Sequence, residues 1–251
     1  MPAAYDTYNY PAYWQGRDYE HESEIIAIKA FLKKIPKIKK ILEIGSGYGR
    51  LTPYYKFRAN KIILADPSSK LLKIARKKLI SKKIRFVHSK VENLKDQLRA
   101  NCTDLVLVVR VLHHIENIDQ AFAVMQNLLK KNGYLILEFA NKKHLKATVG
   151  EFLKGNLTFP LEIFPLDKRS PKSVKKKTLP FVNYHPDQIT EKLESLGFTI
   201  IERRSVSNIR STKIKKILSK ELLLFFEKYL QIPLSHINFG PSIFILAKNT
   251  R

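Results

Sequence analysis

The residues best suited to chemistry fall in one short stretch and just beyond it. Glu43 is followed by glycines at alternate positions, Gly45, Gly47 and Gly49, and Asp66 stands seventeen residues past the last of them. Glycine admits positive φ and lets a ligand approach the backbone. Between a strand and a helical start, such a turn points free N–H groups at a bound group. A carboxylate at the end of the following strand can accept from both hydroxyls of a ribose. No Gly-Lys-Ser/Thr follows, which excludes a Walker phosphate loop, and the spacing is G-x-G-x-G, not the dinucleotide G-x-G-x-x-G. A plain tight turn is the competing reading, weakened by Asp66. His113 and His114 raise the question of a metal or a base. Adjacent side chains point to different sides and no carboxylate sits at a chelating helical offset, so no metal site is expected and a structural role is preferred.

These groups need elements to hold them. Ile25, Ile28, Phe31 and Leu32 predict a helix from about Glu20 to Lys34. ILEIG, KIILAD, IRFVHS, TDLVLVVRV and YLILEFA read as short strands. Between them a run through Tyr55, then SSKLLKIARKKLI, then IDQAFAVMQNLLKKNG read as helices, the last stopping at its glycine. Strands alternating with helices predict βαβ units and a parallel sheet covered on both faces. After Ala140 the rhythm changes. Residues 141–184 contain KRSPKSVKKKTLPF, which reads as a basic, proline-bearing, mobile loop. HPDQITEKLESLGF reads as a helix, TIIERRSVS as a strand, roughly Thr212 to Leu230 as an amphipathic helix, and PSIFILAKN as a last strand.

Composition sets the outer limits. In 251 residues, Lys+Arg number 46 against 22 Asp+Glu, a net charge of +24. Such a field attracts polyanions and anionic membranes. The lysines are spread over almost every helix, so a dispersed surface property is the preferred reading. The single cysteine, Cys102, cannot form an internal disulfide or a cysteine-built metal site. No apolar run reaches about 18 residues and the start lacks a signal-peptide pattern, so a soluble cytoplasmic protein is expected. Ile214, Ile217, Leu218, Leu222, Phe225, Phe226 and Tyr229 share one helical face with lysines opposite. That helix either lies on an anionic membrane or packs as a lid on the core, and the lid is preferred.

The glycine turn with Glu43 and Asp66, together with ILADPS, DLVLVVRVLHHIEN and LLKKNGYLILE in order, resembles the class I S-adenosylmethionine-dependent methyltransferases of the small-molecule and quinone-biosynthesis type. The resemblance covers about residues 38–140 by motif. It implies a doubly wound, Rossmann-like α/β fold with a seven-stranded sheet, mostly parallel with an antiparallel last strand. It implies S-adenosyl-L-methionine as cofactor and in-line displacement of its methyl group. Gly45, Ser46 and Gly47 would pack under the methionine part, and Glu43 would help place its amino group. Asp66 would take the ribose hydroxyls, with Pro67 and Ser68 beside the adenine. Lys90 stands where the family usually has an acidic residue contacting the adenine amino group, leaving the backbone of Val91 and Glu92 for that contact. Val109 and Arg110 would lie beside the sulfonium, and His114 would neighbour the pocket.

One domain over 1–251 is expected: an N-terminal flap and helix (1–37), a cofactor-binding half (38–140) and an acceptor-side half (141–251) with inserts at 141–184 and 208–240. Tyr8, Tyr10, Tyr13, Trp14 and Tyr19 either close over the cofactor, with Arg17 pairing with its carboxylate, or form an aromatic flap packed on the surface. Tyr13, Trp14, Phe181, Tyr184 and His185 are the expected acceptor-side residues. No Asn/Asp-Pro-Pro-aromatic motif follows the fourth strand and Cys102 precedes it, which disfavours methylation of nucleic-acid bases at amino groups or at pyrimidine carbon 5. A small-molecule or lipid-like acceptor is expected. RNA methylation and a non-catalytic cofactor-binding module are the alternatives, with peripheral membrane contact open.

Overall fold

A computed structural model describes residues 4–6, 9–176 and 178–251; Tyr8 lies outside them. Strands β1 (Lys40–Ile44), β2 (Lys61–Asp66), β3 (Ile84–His88), β4 (Thr103–Val108), β5 (Leu129–Ala140), β8 (Phe198–Val206) and β9 (Ser242–Asn249) form one sheet in the order β3-β2-β1-β4-β5-β9-β8. Six strands run one way, and β9 runs against both β5 and β8. A two-stranded ribbon, β6 (Leu166–Asp167) with β7 (Val182–Asn183), stands apart. The sheet is the Rossmann-like α/β arrangement.

Alternation along the strands divides the core in two. Leu42, Ile44, Val106 and Val108 pack on α4 (Ile118–Leu128) and α7 (Pro186–Ser195). Ile41, Ile62, Leu105 and Leu107 pack on α2 (Asp18–Lys34). Both sheet faces are therefore covered, as near-continuous apolar strands require. The strand order reverses between β1 and β4, so their carboxyl ends open a crevice at a topological switch point. Into that crevice run the loop after Ile44 and the turn after Val108.

Several elements depart from the sequence reading. The run through Tyr55 is two 3-10 turns, Thr52–Tyr54 and Lys56–Arg58. Pro53 has no N–H to give an α-helix, and Arg58 ties the segment to Leu32 O and Ile35 O at 2.6 and 2.7 Å. Helix α4 ends at Leu128, well before Gly133, because the N–H groups of Asn101 and Cys102 take its final carbonyls and β5 starts at once. The stretch KRSPKSVKKKTLPF is not loop throughout, since it holds α6 (Pro171–Lys175), and residues 141–184 also carry α5 (Leu145–Phe152) and the ribbon. The helix expected from Thr212 to Leu230 is two, α8 (Thr212–Ile217) and α9 (Lys220–His236), parted where extended Ser219 caps α9 by accepting from Leu222 N–H. Its apolar face is not a lid on the core. Phe225, Phe226 and Tyr229 are exposed, and the buried side of α9 is Leu223, Glu227, Gln231 and Ser235.

Candidate functional site

The loop after β1 is shaped by its glycines. All three have positive φ (69°, 54° and 74°). A Cβ on Gly45 would fall 2.1 Å from Val111 Cγ2, and one on Gly49 2.3 Å from Leu79 Cδ1. A Cβ on Gly47 would meet nothing nearer than 3.7 Å, with the Tyr10 ring at 3.9 Å. Gly45 and Gly49 are thus bare for packing as well as conformation, and Gly47 presents open backbone to the crevice. The loop is latched to β2. Gly45 and Ser46 N–H donate to Ala65 O, Gly47 N–H donates to Asp66 Oδ2 at 2.7 Å, and Ser68 N–H to Asp66 Oδ1 at 2.7 Å. Burial lifts the Asp66 carboxyl to about 6 against the pull of those two N–H groups. Glu43 is buried beneath the loop, accepting from Thr52 Oγ1 at 3.1 Å and from the Tyr55 hydroxyl, and burial pushes it up to about 7. Ser46 Oγ is buried with no hydrogen-bond partner among the described residues.

A fully buried carboxylate organises the other wall. Glu24 of α2 accepts from Arg50 Nη2 at 2.5 Å and from Arg110 Nε at 2.6 Å. Burial alone would raise its pKa; Arg110 and Arg50 overcome this and hold it below the ordinary value. Arg110 has φ 61° and its N–H donates to Glu138 Oε2 at 2.6 Å. Burial would lower this guanidinium's pKa, but Glu24 and Glu138 raise it. The Arg50 guanidinium lies 3.5 Å over the Trp14 ring, with Arg110 at 5.2 Å. Sequence reasoning missed Glu24, Arg50 and Glu138. A charged residue among the apolar positions of α2 was the available signal, but its partners lie 26 and 86 residues away.

The N-terminal segment fills the crevice between these walls. Tyr10, on the short helix α1 (Tyr10–Tyr13), is half-buried with its ring beside Gly47, and desolvation pushes its phenol up to about 12. Tyr10, Glu43, Gly45, Ser46, Tyr48, Arg50, Leu51 and Val109 line a small cavity of about 20 Å³, room for about one water molecule. Asp6 Oδ1 accepts from Ser68 Oγ at 2.6 Å, and Tyr5 OH lies 2.5 Å from His114 Nε2. Tyr13 stacks on Tyr10 at 5.9 Å. Arg17 is exposed, 4.2 Å over Tyr13, one ring removed from the cavity that Arg50 lines. Tyr19 points away, its hydroxyl donating to Glu227 at 2.5 Å.

The remaining expected residues divide. Pro67 O lies 2.9 Å from His88 Nε2, beside the crevice. Buried Val91 and half-buried Glu92 open a 3-10 turn behind exposed Lys90, tied to β2 by Ser89 N–H donating to Asp66 O at 3.2 Å. Tyr184 and His185, expected on the acceptor side, are both buried. The buried Tyr184 hydroxyl reaches Leu112 O at 3.4 Å, and His185 caps α7, its Nδ1 accepting from Asp187 N–H at 3.3 Å. His113 and His114 do not diverge as expected. They lie on a 3-10 turn with ring centroids 3.9 Å apart, His114 Nδ1 at 2.6 Å from Pro180 O and His113 beside Phe181 at 4.9 Å. Burial first, then His114 and Arg110, hold His113 well below the usual range, so it is neutral at pH 7.

Residues 42–137 match a family model described as a methyltransferase domain. Over 187 residues the chain is 29% identical to ubiquinone/menaquinone biosynthesis C-methyltransferase UbiE of Stutzerimonas stutzeri, covering 68% of each chain. It is 23% identical over 175 residues to tRNA 5-carboxymethoxyuridine methyltransferase of Escherichia coli K12, covering 68% of this chain and 64% of that one. Other relatives are matched over about a third of their own length. A solved SAM-dependent methyltransferase of Thermotoga maritima, described as a possible histamine N-methyltransferase, superposes with a TM-score of 0.64 at 16% identity, covering 99% of this chain and 98% of that one.

Proposed function

We propose a small, apolar-bodied or lipid-like acceptor for this chain, which belongs to the class I S-adenosylmethionine-dependent methyltransferases. The observation that carries the proposal is the character of the crevice. Its rings are Tyr5, Tyr10, Trp14, His113, His114 and Phe181, and its two arginines are both bound by Glu24. A polynucleotide's phosphates would have to compete with that buried carboxylate for Arg50 and Arg110, whereas an apolar ring system needs only the aromatic walls.

The chain's own groups suit S-adenosyl-L-methionine. The open backbone of Gly47, the buried Ser46 hydroxyl and the carboxylates of Glu43 and Asp66 converge on one crevice. Asp66 holds the ribose hydroxyls; Gly45, Ser46 and Gly47 form the floor under the methionine part; Glu43 orients its amino group. Pro67, Ser68 and the backbone of Val91 and Glu92 flank the adenine. Arg17 pairs with the cofactor's carboxylate in this reading, while Arg50 lines the cavity but is held by Glu24. When bound, the cofactor supplies an activated methyl group on a sulfonium. Val109 and Arg110 border that position, and Glu24 with Glu138 cancels the Arg110 charge that would otherwise repel a cation. Tyr10 and Trp14 close the crevice against water once the acceptor is in line. Because Tyr10 borders so small a cavity, the helix that carries it (Tyr10–Tyr13) would have to move outward to admit the cofactor.

Methyl-labelled cofactor incubated with the protein and, in parallel, quinol-type phenols, small amines and bulk tRNA tests the proposal. Label is expected in an organic-extractable small molecule. Label confined to tRNA would overturn it.

A further inference from the structure

Helix α9 is built inside out. Its protein-facing side carries the polar residues: Glu227 accepts from Tyr19 OH and from the N–H groups of Ser207 and Asn208, and Gln231 Nε2 donates to Ser23 O at 2.9 Å. The opposite side holds Leu222, Phe225, Phe226, Tyr229 and Ile232, each 40–60% exposed. Phe225 packs on Tyr229 and Phe226 at ring distances of 4.9 and 5.8 Å, so these side chains form a surface aromatic cluster. A helix serving only its own core shows the reverse pattern. Neighbouring segments extend the same character. Ile217 of α8 is 80% exposed between exposed Lys216 and Lys220. Leu145 N–H donates to Phe239 O at 3.0 Å, which brings the 141–184 insert against the end of α9, and that insert exposes Leu153, Leu161 and Phe164.

The charge on these segments is one-sided. The sequence has ten Lys and Arg against three acids over 142–177, and six against two over 208–240, where Glu227 is one of the two and is buried. Arg210, Lys168 and Lys146 crowd His144, which burial and those cations together push down to about 4. Apolar side chains and cations therefore alternate over one region formed by α8, α9 and the insert.

We propose that this region docks on the surface of an anionic lipid bilayer, with the α9 aromatics among the acyl chains and the lysines at the headgroups. The assignment is independent of the acceptor proposed above. Among the described residues no helix is long and apolar enough to cross a membrane, so the contact is interfacial. A second copy is disfavoured, since a two-fold contact through α8 and α9 would bring like-charged lysine clusters together. RNA would use the lysines but leave leucines and isoleucines without a partner.

Flotation of the full chain with phosphatidylcholine vesicles, with and without phosphatidylglycerol, tests this. Binding is expected only to the anionic vesicles, and Phe225→Ser with Tyr229→Ser should cut it by about tenfold or more. Both side chains are exposed, so the melting temperature of that variant should match the parent's. Lys216→Glu with Lys220→Glu should weaken binding as well. Absence of vesicle binding, equal binding to neutral vesicles, or parental binding by the Phe225/Tyr229 variant would overturn the proposal. So would a dimer in light scattering that this variant dissolves, which would give the face to a second copy, or an RNA complex that it abolishes while vesicles stay unbound.

Discussion

With one oxygen bonded to Gly47 N–H and the other to Ser68 N–H, Asp66 still has lone pairs for two ribose hydroxyls. Asp66→Ala should weaken S-adenosylhomocysteine binding by about 3 kcal/mol, the scale of hydrogen bonds to a charged group. Calorimetry measures this, and unchanged affinity would place the ribose elsewhere. Binding needs the ionised form, and burial holds this carboxyl near 6. Affinity should therefore fall by up to about tenfold per pH unit below that value, with proton release on binding. Glu43 gives a stability signature instead. Its folded pKa is raised from 4.5 to about 7, so its contribution is fullest below 4.5 and is lost as pH climbs to 7. The buried carboxylate then costs about 3 kcal/mol at pH 8. Glu43→Gln should remove that dependence, so urea midpoints of variant and parent should differ by an amount that changes with pH. A constant difference would show that Glu43 titrates normally.

At the scale of elements, the N-terminal segment and α9 matter most. Trp14 is the chain's one tryptophan and lies under Arg50. Cofactor entry that displaces α1 and Trp14 beside it should shift its fluorescence, and an unchanged spectrum at calorimetric saturation would mean the helix stays put. Glu227→Ala should cost about 3–5 kcal/mol, because it orphans the Tyr19 hydroxyl and the Ser207 and Asn208 N–H groups in a buried site. Denaturant unfolding reads this directly. These are also the places where the sequence was hardest to read. Local signals announced the strands, the glycine turn and Asp66, since each depends on neighbours a few residues away. Periodicity revealed that α9 has an apolar face but could not say which face turns inward, because Tyr19 and Ser23 lie 208 residues from their α9 partners. The same distance effect hid the Glu24 clamp.

For the whole molecule, the sheet order has a consequence for synthesis. Strand β9 lies between β5 and β8, pairs with both, and six of its eight residues, Ser242–Ala247, are buried without interruption. A nascent chain therefore carries β5 and β8 with open edges until the strand that joins them has left the ribosome. Such edges invite wrong partners. Termination before Ser242 should leave a product that aggregates or is captured by holding chaperones, whereas the longer chain stays in the supernatant after centrifugation. Because the bridging piece is short and separate, a peptide spanning residues 241–251 added to the truncated chain should restore part of the solubility, making folding of this enzyme a two-component assembly that can be timed from outside.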